Sequence, residues 1–392
     1  MPINNRVSAI SDDMIQVRHE FHADPELDFD VHRTAAKVAD LLRSYGCDEV
    51  VEGIGRTGVV GIIHGSRTDS GKVIGLRADM DALPIEEQTG VAYASTTPGL
   101  MHACGHDGHT TMLLGAARYL AETRQFDGSV AVIFQPAEEG GGGGREMVDD
   151  GMMERFSIAE VYGMHNWPGV PVGSFAITSG VIMASSDVFD ITVTGKGGHA
   201  AMPHLCIDPV VVAAQMIVAL QGIASRNTDP VDAVVITVTS MDMPADNYNV
   251  IPSQVFLKGT LRALEPATRD AAEAAMHRVV EHTALAMGAT ATLDYQRDYP
   301  ATINTPAQTQ HAIDAAVSLV GSEHVDTARA PSMGSEDFSY MLNARPGAFI
   351  FVGNGDSAGL HHPQYNFNDD CLAYGSGYWV TLTESLLPVK PA

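Results

Sequence analysis

The spacing of apolar residues predicts alternating strands and helices in the first and last parts of the chain. Short apolar runs at 73–76 and 130–134 have the length of buried strands, and residues 110–123 between them repeat apolar side chains at helical spacing. A further helix is predicted at 305–320 and an apolar strand at 348–352. This alternation is typical of an α/β domain.

A different pattern occupies the middle of the chain, from 185 to 298. Its predicted elements follow the order β-α-β-β-α-β, at 187–194, 209–223, 234–240, 255–261, 266–287 and 291–298. That order is the split arrangement of ferredoxin-like modules. We therefore predict two domains, one formed by 1–184 with 299–392 and the other inserted between them as 185–298.

Composition and charge limit the classes of function. The length of 392 residues with 45% hydrophobic composition favours more than one domain, and a net charge of -25 opposes binding to nucleic acid or anionic membranes. The apolar stretch 209–224 is interrupted by Gln215 and Gln221, so no membrane helix is predicted. The four cysteines form no CxxC pair, which argues against a disulfide framework. The first ten residues lack a secretory pattern, so a cytoplasmic location is predicted.

One short run of residues is rich in candidate metal ligands. Residues 101–109 contain Cys104 together with His102, His106 and His109, directly before the predicted helix. Thiolates and neutral imidazoles suit zinc or a neighbouring divalent ion. The alternative interpretation is a surface turn of solvated histidines with one buried thiol.

Carboxylates follow two of the predicted strands. Asp79 and Asp81 come after the first, where α/β proteins place their sites, although such residues also cap turns. Glu138 and Glu139 follow the second and open a run of five glycines. Adjacent side chains of an extended chain point in different directions, so one glutamate can bind metal while the other acts as a base. A solvated acidic pair in a surface loop is the alternative.

Further imidazoles lie just after apolar runs. His165 follows one such run, and His361 and His362 are adjacent near the C-terminus. His199 lies in a glycine-rich turn of the inserted domain. A lone histidine is more often structural than a ligand, but the shared position after apolar runs favours a site.

These clusters, in this order, resemble the M20 metallopeptidase family, and specifically its subfamily D of amidohydrolases. That subfamily includes hippurate hydrolases, N-acyl-amino-acid amidohydrolases and auxin-conjugate hydrolases. The resemblance covers nearly the whole chain and depends on the motifs MHACGHDGHTTMLLGAA, FQPAEEGGGG, MHNWP, GKGGHAAMPH and MGSEDF. It implies a two-domain α/β fold, in which a di-metal aminopeptidase-like (phosphorylase/hydrolase-like) catalytic domain carries an inserted ferredoxin-like βαββαβ lid and dimerisation domain.

The resemblance also implies the roles of individual residues. It gives Cys104 as a bridging ligand of two divalent ions (Mn, Zn, Co or Ni) and Glu138 as general base. The other implied ligands are His106, Glu139, His165 and His361. His362 is the alternative to His361, and His102 and His109 receive no ligand role. Asp81 matches an aspartate that orients a ligand histidine, whereas Asp79 replaces a histidine ligand of the wider family and is left out.

Three residues of the inserted domain complete the predicted site. In relatives the histidine that matches His199 reaches the active site of the partner subunit, so the resemblance implies a homodimer or homotetramer. Asn249 is implied as a substrate contact. Arg262 is a candidate to pair with a substrate carboxylate, although an arginine on a strand is as easily structural.

The predicted function is hydrolysis of the amide bond of N-acyl amino acids by a metal-activated water. A dipeptidase or aminopeptidase of the same family is the alternative within this class. Two alternatives lie outside it. The first is a thiol hydrolase with Cys104 as nucleophile and His106 as base. The second is a metal-binding scaffold without turnover, which the presence of Glu138 disfavours.

Overall fold

A computed structural model describes residues 5–244 and 247–389. The helices, in chain order, are α1 (Asn5–Ala9), α2 (Ser11–Ala23), α3 (His32–Tyr45), α4 (His106–Thr123), α5 (Gly143–Asp149), α6 (Met152–Arg155), α7 (Pro209–Gly222), α8 (Pro266–Ala286), α9 (Pro306–Val320), α10 (Phe338–Ala344) and α11 (Cys371–Leu386).

The strands, in the same order, are β1 (Glu49–Ile54), β2 (Gly58–His64), β3 (Val73–Asp79), β4 (Ser129–Gln135), β5 (Glu160–Trp167), β6 (Phe175–Ala176), β7 (Gly180–Met183), β8 (Ser185–Thr194), β9 (Gly198–His199), β10 (Val234–Asp242), β11 (Val250–Ile251), β12 (Gln254–Ala263), β13 (Thr290–Arg297), β14 (Thr302–Asn304), β15 (Val325–Asp326) and β16 (Gly347–Gly353).

The chain divides into two compact units. The first comprises Met1–Ile182, Ile303–Ala330 and Asp337–Ala392, and the second comprises Met183–Thr302 with Pro331–Glu336. The second unit therefore takes in a short segment near position 334 that the sequence pattern assigns to the first domain.

The first unit is built on a mixed sheet with the strand order β1-β2-β4-β3-β5-β16-β6-β15. Its central strands β4, β3, β5 and β16 are parallel to one another, whereas the flanking strands β2 and β6 run antiparallel to β4 and β16. Nearly all side chains of the four central strands are buried, as expected for strands covered on both faces. Because parallel strands end at one edge of a sheet, the segments that follow these strands are brought together there.

The second unit contains an antiparallel sheet with the order β10-β12-β8-β13. Residues of β8 alternate between buried and exposed positions, and Phe189, Ile191 and Val193 face a core shared with α7 and α8. The predicted β-α-β-β-α-β order is present. The predicted start of α7 is also found, because the Asp208 side chain accepts a hydrogen bond of 2.9 Å from the Val210 N–H ahead of Pro209.

The prediction that the segment 209–224 is too polar to form a membrane helix needs correction. The segment Pro209–Asn227 is long and apolar enough, by length and composition alone, to cross a membrane. The two glutamines do not prevent this because they carry no charge. In the structure one side of the helix buries Val212, Met216 and Leu220 in the core of the second unit. Core packing thus accounts for one side of the helix, while Val211 and Val218 on it are exposed.

Candidate metal centre

The predicted metal ligands of the first unit lie at one edge of its sheet. Glu139 follows β4, His165 lies near the end of β5, and His361 lies in the loop after β16. Cys104 precedes α4, and His106 is its first residue. The parallel strands therefore bring together segments that are far apart along the chain.

The ligand atoms form two groups that share one sulfur atom. Those of Cys104, His106 and His165 all lie within 4.8 Å of one another, and those of Cys104, Glu139 and His361 satisfy the same limit. The Cys104 Sγ is 3.3 Å from the His165 Nε2, and the Glu139 Oε1 is 3.2 Å from the His361 Nε2. Two metal positions with a common thiolate fit this arrangement.

The ring nitrogens are arranged as metal ligation requires. The His106 Nδ1 donates to the Asp81 carbonyl oxygen at 2.8 Å, and the His165 Nδ1 donates to the Asn166 carbonyl oxygen at 2.6 Å. The buried His106 Nε2 makes no hydrogen bond within the described residues. Such an unsatisfied nitrogen fits a metal ligand, because the opposite nitrogen fixes the tautomer.

The electrostatics of the cluster disfavour a free thiolate. Burial, followed by the charges of Glu139 and Glu138, raises the pKa of Cys104 well above its usual value. The thiol therefore keeps its proton unless a cation is nearby. This argues against the thiol hydrolase, which needs a lowered pKa at this position.

Nearby carboxylates also raise the pKa of His106, where the charged form is the protonated one. Burial alone would lower its pKa, but the charge of Asp79 and the hydrogen bond to Asp81 outweigh burial and raise the pKa to about 10. The cluster is thus an anionic site that favours positive charge.

Asp81 fixes the glutamate pair as well as His106. Its carboxylate accepts hydrogen bonds of 3.0 Å from the N–H groups of both Glu138 and Glu139, and its Oδ1 is 3.4 Å from the His106 Nδ1. The non-glycine residue before the pair, Ala137, has a positive φ of 52°. A backbone held in this sparsely populated region is typical of functional sites.

His361 and His362 are placed differently. His361 has a φ of 63°, and its N–H donates to the Ala103 carbonyl oxygen at 2.8 Å, which ties it to the loop that carries Cys104. The His362 Nδ1 instead accepts a hydrogen bond of 3.1 Å from the Gln364 N–H. The geometry therefore favours His361 as the ligand.

The remaining residues of the His-rich run are buried but lie outside the two groups. His109 Nδ1 donates to Asp79 at 2.6 Å, and its Nε2 accepts from the Asn166 N–H at 2.9 Å. Asp79 is also paired with Arg77 at 2.7 Å. Asp79 and His109 lie close to His106, but these bonds occupy the Asp79 carboxylate and both ring nitrogens of His109, which a metal at this place would need. The buried His102 ring makes no hydrogen bond within the described residues.

The predicted residues of the second unit fall in two places. His199 on β9 and Asn249 are neighbours, because β9 pairs with β11 and the Ala200 N–H donates to the Asn249 carbonyl oxygen at 2.9 Å. Arg262 lies on β12, where it donates to the Thr260 hydroxyl and, at 3.2 Å, to the Leu261 carbonyl oxygen. Their roles at the reaction centre stay predictions.

A buried network of hydrogen bonds around Asp337 was not predicted from the sequence. Arg77 donates to Gln135 at 2.8 Å and to Asp337 at 3.0 Å. Asp337 also accepts a hydrogen bond of 2.7 Å from the Gly144 N–H, in the first turn of α5. The position of Asp337 in the MGSEDF motif is the only signal in the sequence that points to this network.

Comparison with known proteins decides the family. Peptidase family M20/M25/M40 matches residues 75–385. The chain belongs to this family. A hippurate hydrolase of Campylobacter jejuni is 40% identical over 94% of both chains. An N-acetylcysteine deacetylase of Bacillus subtilis is 36% identical over 95% of this chain and 97% of its own.

A solved structure of a family member resembles this M20 protein in fold. It is a dinuclear metal-binding peptidase of the M20 family from Bacillus subtilis, with 33% identity, a TM-score of 0.85, and coverage of 97% of this chain and 99% of its own. Together with the ligand groups, these relatives show that this M20 protein is a metal-dependent amide hydrolase with a site for two divalent ions. The predicted family, fold class and type of reaction are therefore confirmed.

Proposed function

We propose that this enzyme hydrolyses N-acyl amino acids to a carboxylic acid and a free amino acid. The observation that carries the proposal is the Cys104 sulfur shared by two ligand groups beside Glu138. Cys104, His106 and His165 would hold one cation, and Cys104, Glu139 and His361 the other. The thiolate suits zinc, and the carboxylate and imidazoles are compatible with manganese, cobalt or nickel.

Glu138 is proposed as the general base. When bound, divalent ions lower the pKa of water from about 15.7 toward about 7 and polarise the substrate carbonyl. Glu138 is buried, and its backbone is anchored to Asp81, so its carboxylate is held at the edge of the ligand cluster. It would accept a proton from the attacking water and pass it to the departing amine.

The proposed substrate class is supported by relatives whose names specify acylated amino acids. The hippurate hydrolase and the N-acetylcysteine deacetylase both match nearly the full length of this chain. Arg262 offers a suitable group for the substrate carboxylate. Burial lowers its pKa, although the charges of Asp187 and Asp298 oppose this. Its guanidinium donates to the neutral oxygens of Thr260 and Leu261. We propose it as the carboxylate partner, with Asn249 as a second substrate contact.

His199 is proposed as the donor to the oxyanion, reaching the active site of a partner subunit in a homodimer or homotetramer. Its Nδ1 accepts a hydrogen bond of 3.1 Å from the Ala201 N–H, so its Nε2 carries the proton that it would donate. Mixing inactive His199→Ala and inactive Cys104→Ser proteins tests this role. Recovered activity in mixed oligomers supports donation in trans, and an inactive mixture that has exchanged subunits contradicts it.

Metal removal followed by a substrate panel tests the proposed function itself. Dialysis against EDTA should abolish hydrolysis, and addition of Zn²⁺, Mn²⁺, Co²⁺ or Ni²⁺ should restore it. Hippurate and N-acetyl amino acids should be cleaved faster than dipeptides; the reverse order would favour the dipeptidase. Activity that survives complete metal removal would contradict the proposal. The cytoplasmic location stays a prediction.

A further inference from the structure

Asn166 occupies a central place among the proposed metal ligands without being one of them. It directly follows His165 on β5 and is completely buried. Its side-chain Nδ2 donates to the Cys104 carbonyl oxygen at 2.7 Å, and its own carbonyl oxygen accepts from the His165 Nδ1 at 2.6 Å. One residue is therefore hydrogen-bonded to two proposed ligands of the same metal position.

Tyr365 connects Asn166 to the loop that carries His361. Its hydroxyl donates to the Asn166 Oδ1 at 2.7 Å, and its N–H donates to the His362 carbonyl oxygen at 2.8 Å, next to His361. Burial raises the pKa of Tyr365 well above its usual value, so the hydroxyl stays protonated as a donor. The C-terminal ligand loop is thus linked to β5 through this hydroxyl.

The hydrogen bonds also fix which way the Asn166 amide points. The buried His109 donates its Nδ1 proton to Asp79, so its Nε2 is an acceptor, and this nitrogen is 3.0 Å from the Asn166 Nδ2. The Asn166 backbone N–H also donates to this nitrogen at 2.9 Å, as an acceptor requires. Because the amide nitrogen faces two acceptors and the amide oxygen faces the Tyr365 hydroxyl, a rotated amide would lose all three contacts.

Gly105 shows how closely the two side chains are packed against the Cys104 loop. A Cβ atom on Gly105 would lie 2.4 Å from the Asn166 Nδ2 and 2.5 Å from the Tyr365 Oη. Gly105 also has a φ of 95°, a conformation that favours glycine. The loop can therefore lie against the pair only because this residue has no side chain.

From these contacts we propose that Asn166 and Tyr365 form a positioning pair that sets the place of the Cys104 thiolate between the two metal positions. Neither residue is proposed to touch a metal or the substrate. The inference rests on the proposed function, because it takes Cys104, His165 and His361 to be ligands. Partners that orient metal ligands change metal affinity or activity by about 10- to 100-fold when they are mutated.

Cobalt(II) reports on the thiolate directly, because a cobalt–thiolate bond gives a charge-transfer absorption band in the near ultraviolet. Asn166→Asp removes the donor to the Cys104 carbonyl and keeps an acceptor for Tyr365. Tyr365→Phe removes only one hydroxyl. We expect the first change to weaken Co²⁺ affinity by about 10- to 100-fold and to shift or reduce the band, and the second to act in the same direction more weakly.

Matched controls separate positioning from general stability. Asn304→Asp also removes amide donors to two backbone carbonyls, Thr178 and Phe349, each at 2.9 Å in the same unit. Tyr378→Phe removes the hydroxyl of another buried tyrosine, on α11. These controls should leave the cobalt spectrum and affinity unchanged even where thermal unfolding shifts.

The outcomes distinguish this inference from the proposed function. If the wild-type protein binds no cobalt, or if Cys104→Ser leaves its spectrum unchanged, the proposed metal site is wrong. If the wild-type protein shows the thiolate band and folded Asn166→Asp and Tyr365→Phe proteins keep both the band and the affinity, the positioning pair is overturned. If Asn166→Asp does not fold, Tyr365→Phe alone decides.

Discussion

The carboxylate of Asp81 accepts a hydrogen bond of 3.0 Å from the backbone N–H of Glu138, the proposed general base. A second bond of the same length from the Glu139 N–H uses the other carboxylate oxygen. Asp81 is almost completely buried, so water does not replace these contacts. The proposed base and the adjacent proposed metal ligand therefore share one anchor on the segment that follows β3.

Replacing Asp81 by asparagine should impair catalysis and metal binding together. The asparagine oxygen can still accept from one of the two backbone N–H groups, but its NH2 group then faces the other. That buried N–H is left without an acceptor, which costs free energy. We expect a loss of about 10- to 100-fold in activity and metal affinity, measured by kinetics and chelator competition. Asp30→Asn, at an exposed position, is the control. Unchanged affinity and rate in Asp81→Asn would show that the anchor is dispensable.

Replacing Glu138 by glutamine should separate catalysis from metal binding. The change keeps the size of the side chain but removes its ability to accept a proton. The rate should fall by about 10²- to 10⁴-fold, while metal content, measured by elemental analysis, stays at the wild-type value. Glu49→Gln on the exposed start of β1 should have no effect. Full amidase activity of Glu138→Gln with normal metal content would show that Glu138 is not the general base.

The glycine run after the glutamate pair should tolerate alanine at one position and not at another. A Cβ on Gly143 would lie 1.7 Å from the Pro136 carbonyl oxygen, whereas a Cβ on Gly140 would meet no atom within 4 Å. Gly143→Ala must displace the backbone that leads into Glu138, and we expect activity to fall on the order of a hundredfold. Gly140→Ala should keep the wild-type rate. Equal rates in the two purified variants would contradict this difference.

The buried His22 should make stability depend on pH. Burial alone would lower its pKa, but the charge of Asp107 and hydrogen bonds to Asp107 and Glu87 outweigh burial and raise it to about 9, while Arg18 opposes this. A raised pKa means that the folded protein holds the proton more tightly, so the contribution is full below about pH 6.5 and is lost as the pH rises through about 9.

The rise of the His22 pKa from 6.5 to about 9 corresponds to roughly 3 kcal/mol of unfolding free energy. Urea unfolding of metal-free protein between pH 6 and 10 measures it. His22→Gln should flatten the decline between about pH 6.5 and 9, and the exposed His32→Gln should not. A His22→Gln protein with the wild-type pH dependence would show that His22 does not hold this proton.

The sequence alone determined the order of elements in the second unit and the start of α7. These features depend on local periodicity and on a cap formed by adjacent residues, so they can be identified before any tertiary contact is known. The motifs likewise identified Cys104, His106, Glu139 and His165 as candidates. The short segment near position 334 was not assigned to the second unit because nothing in its local pattern shows which sheet it packs beside.

Only the tertiary structure decided which groups meet. The resemblance implied His361 rather than its neighbour His362, and the structure adds the physical contact, a left-handed turn that bonds His361 to Ala103 in the loop of Cys104. The contacts of Asn166 with Cys104 and Tyr365 join positions 62 and 199 residues apart. Hydrogen bonds across such distances arise because parallel strands end at one edge of the sheet, and no local pattern of residues specifies them.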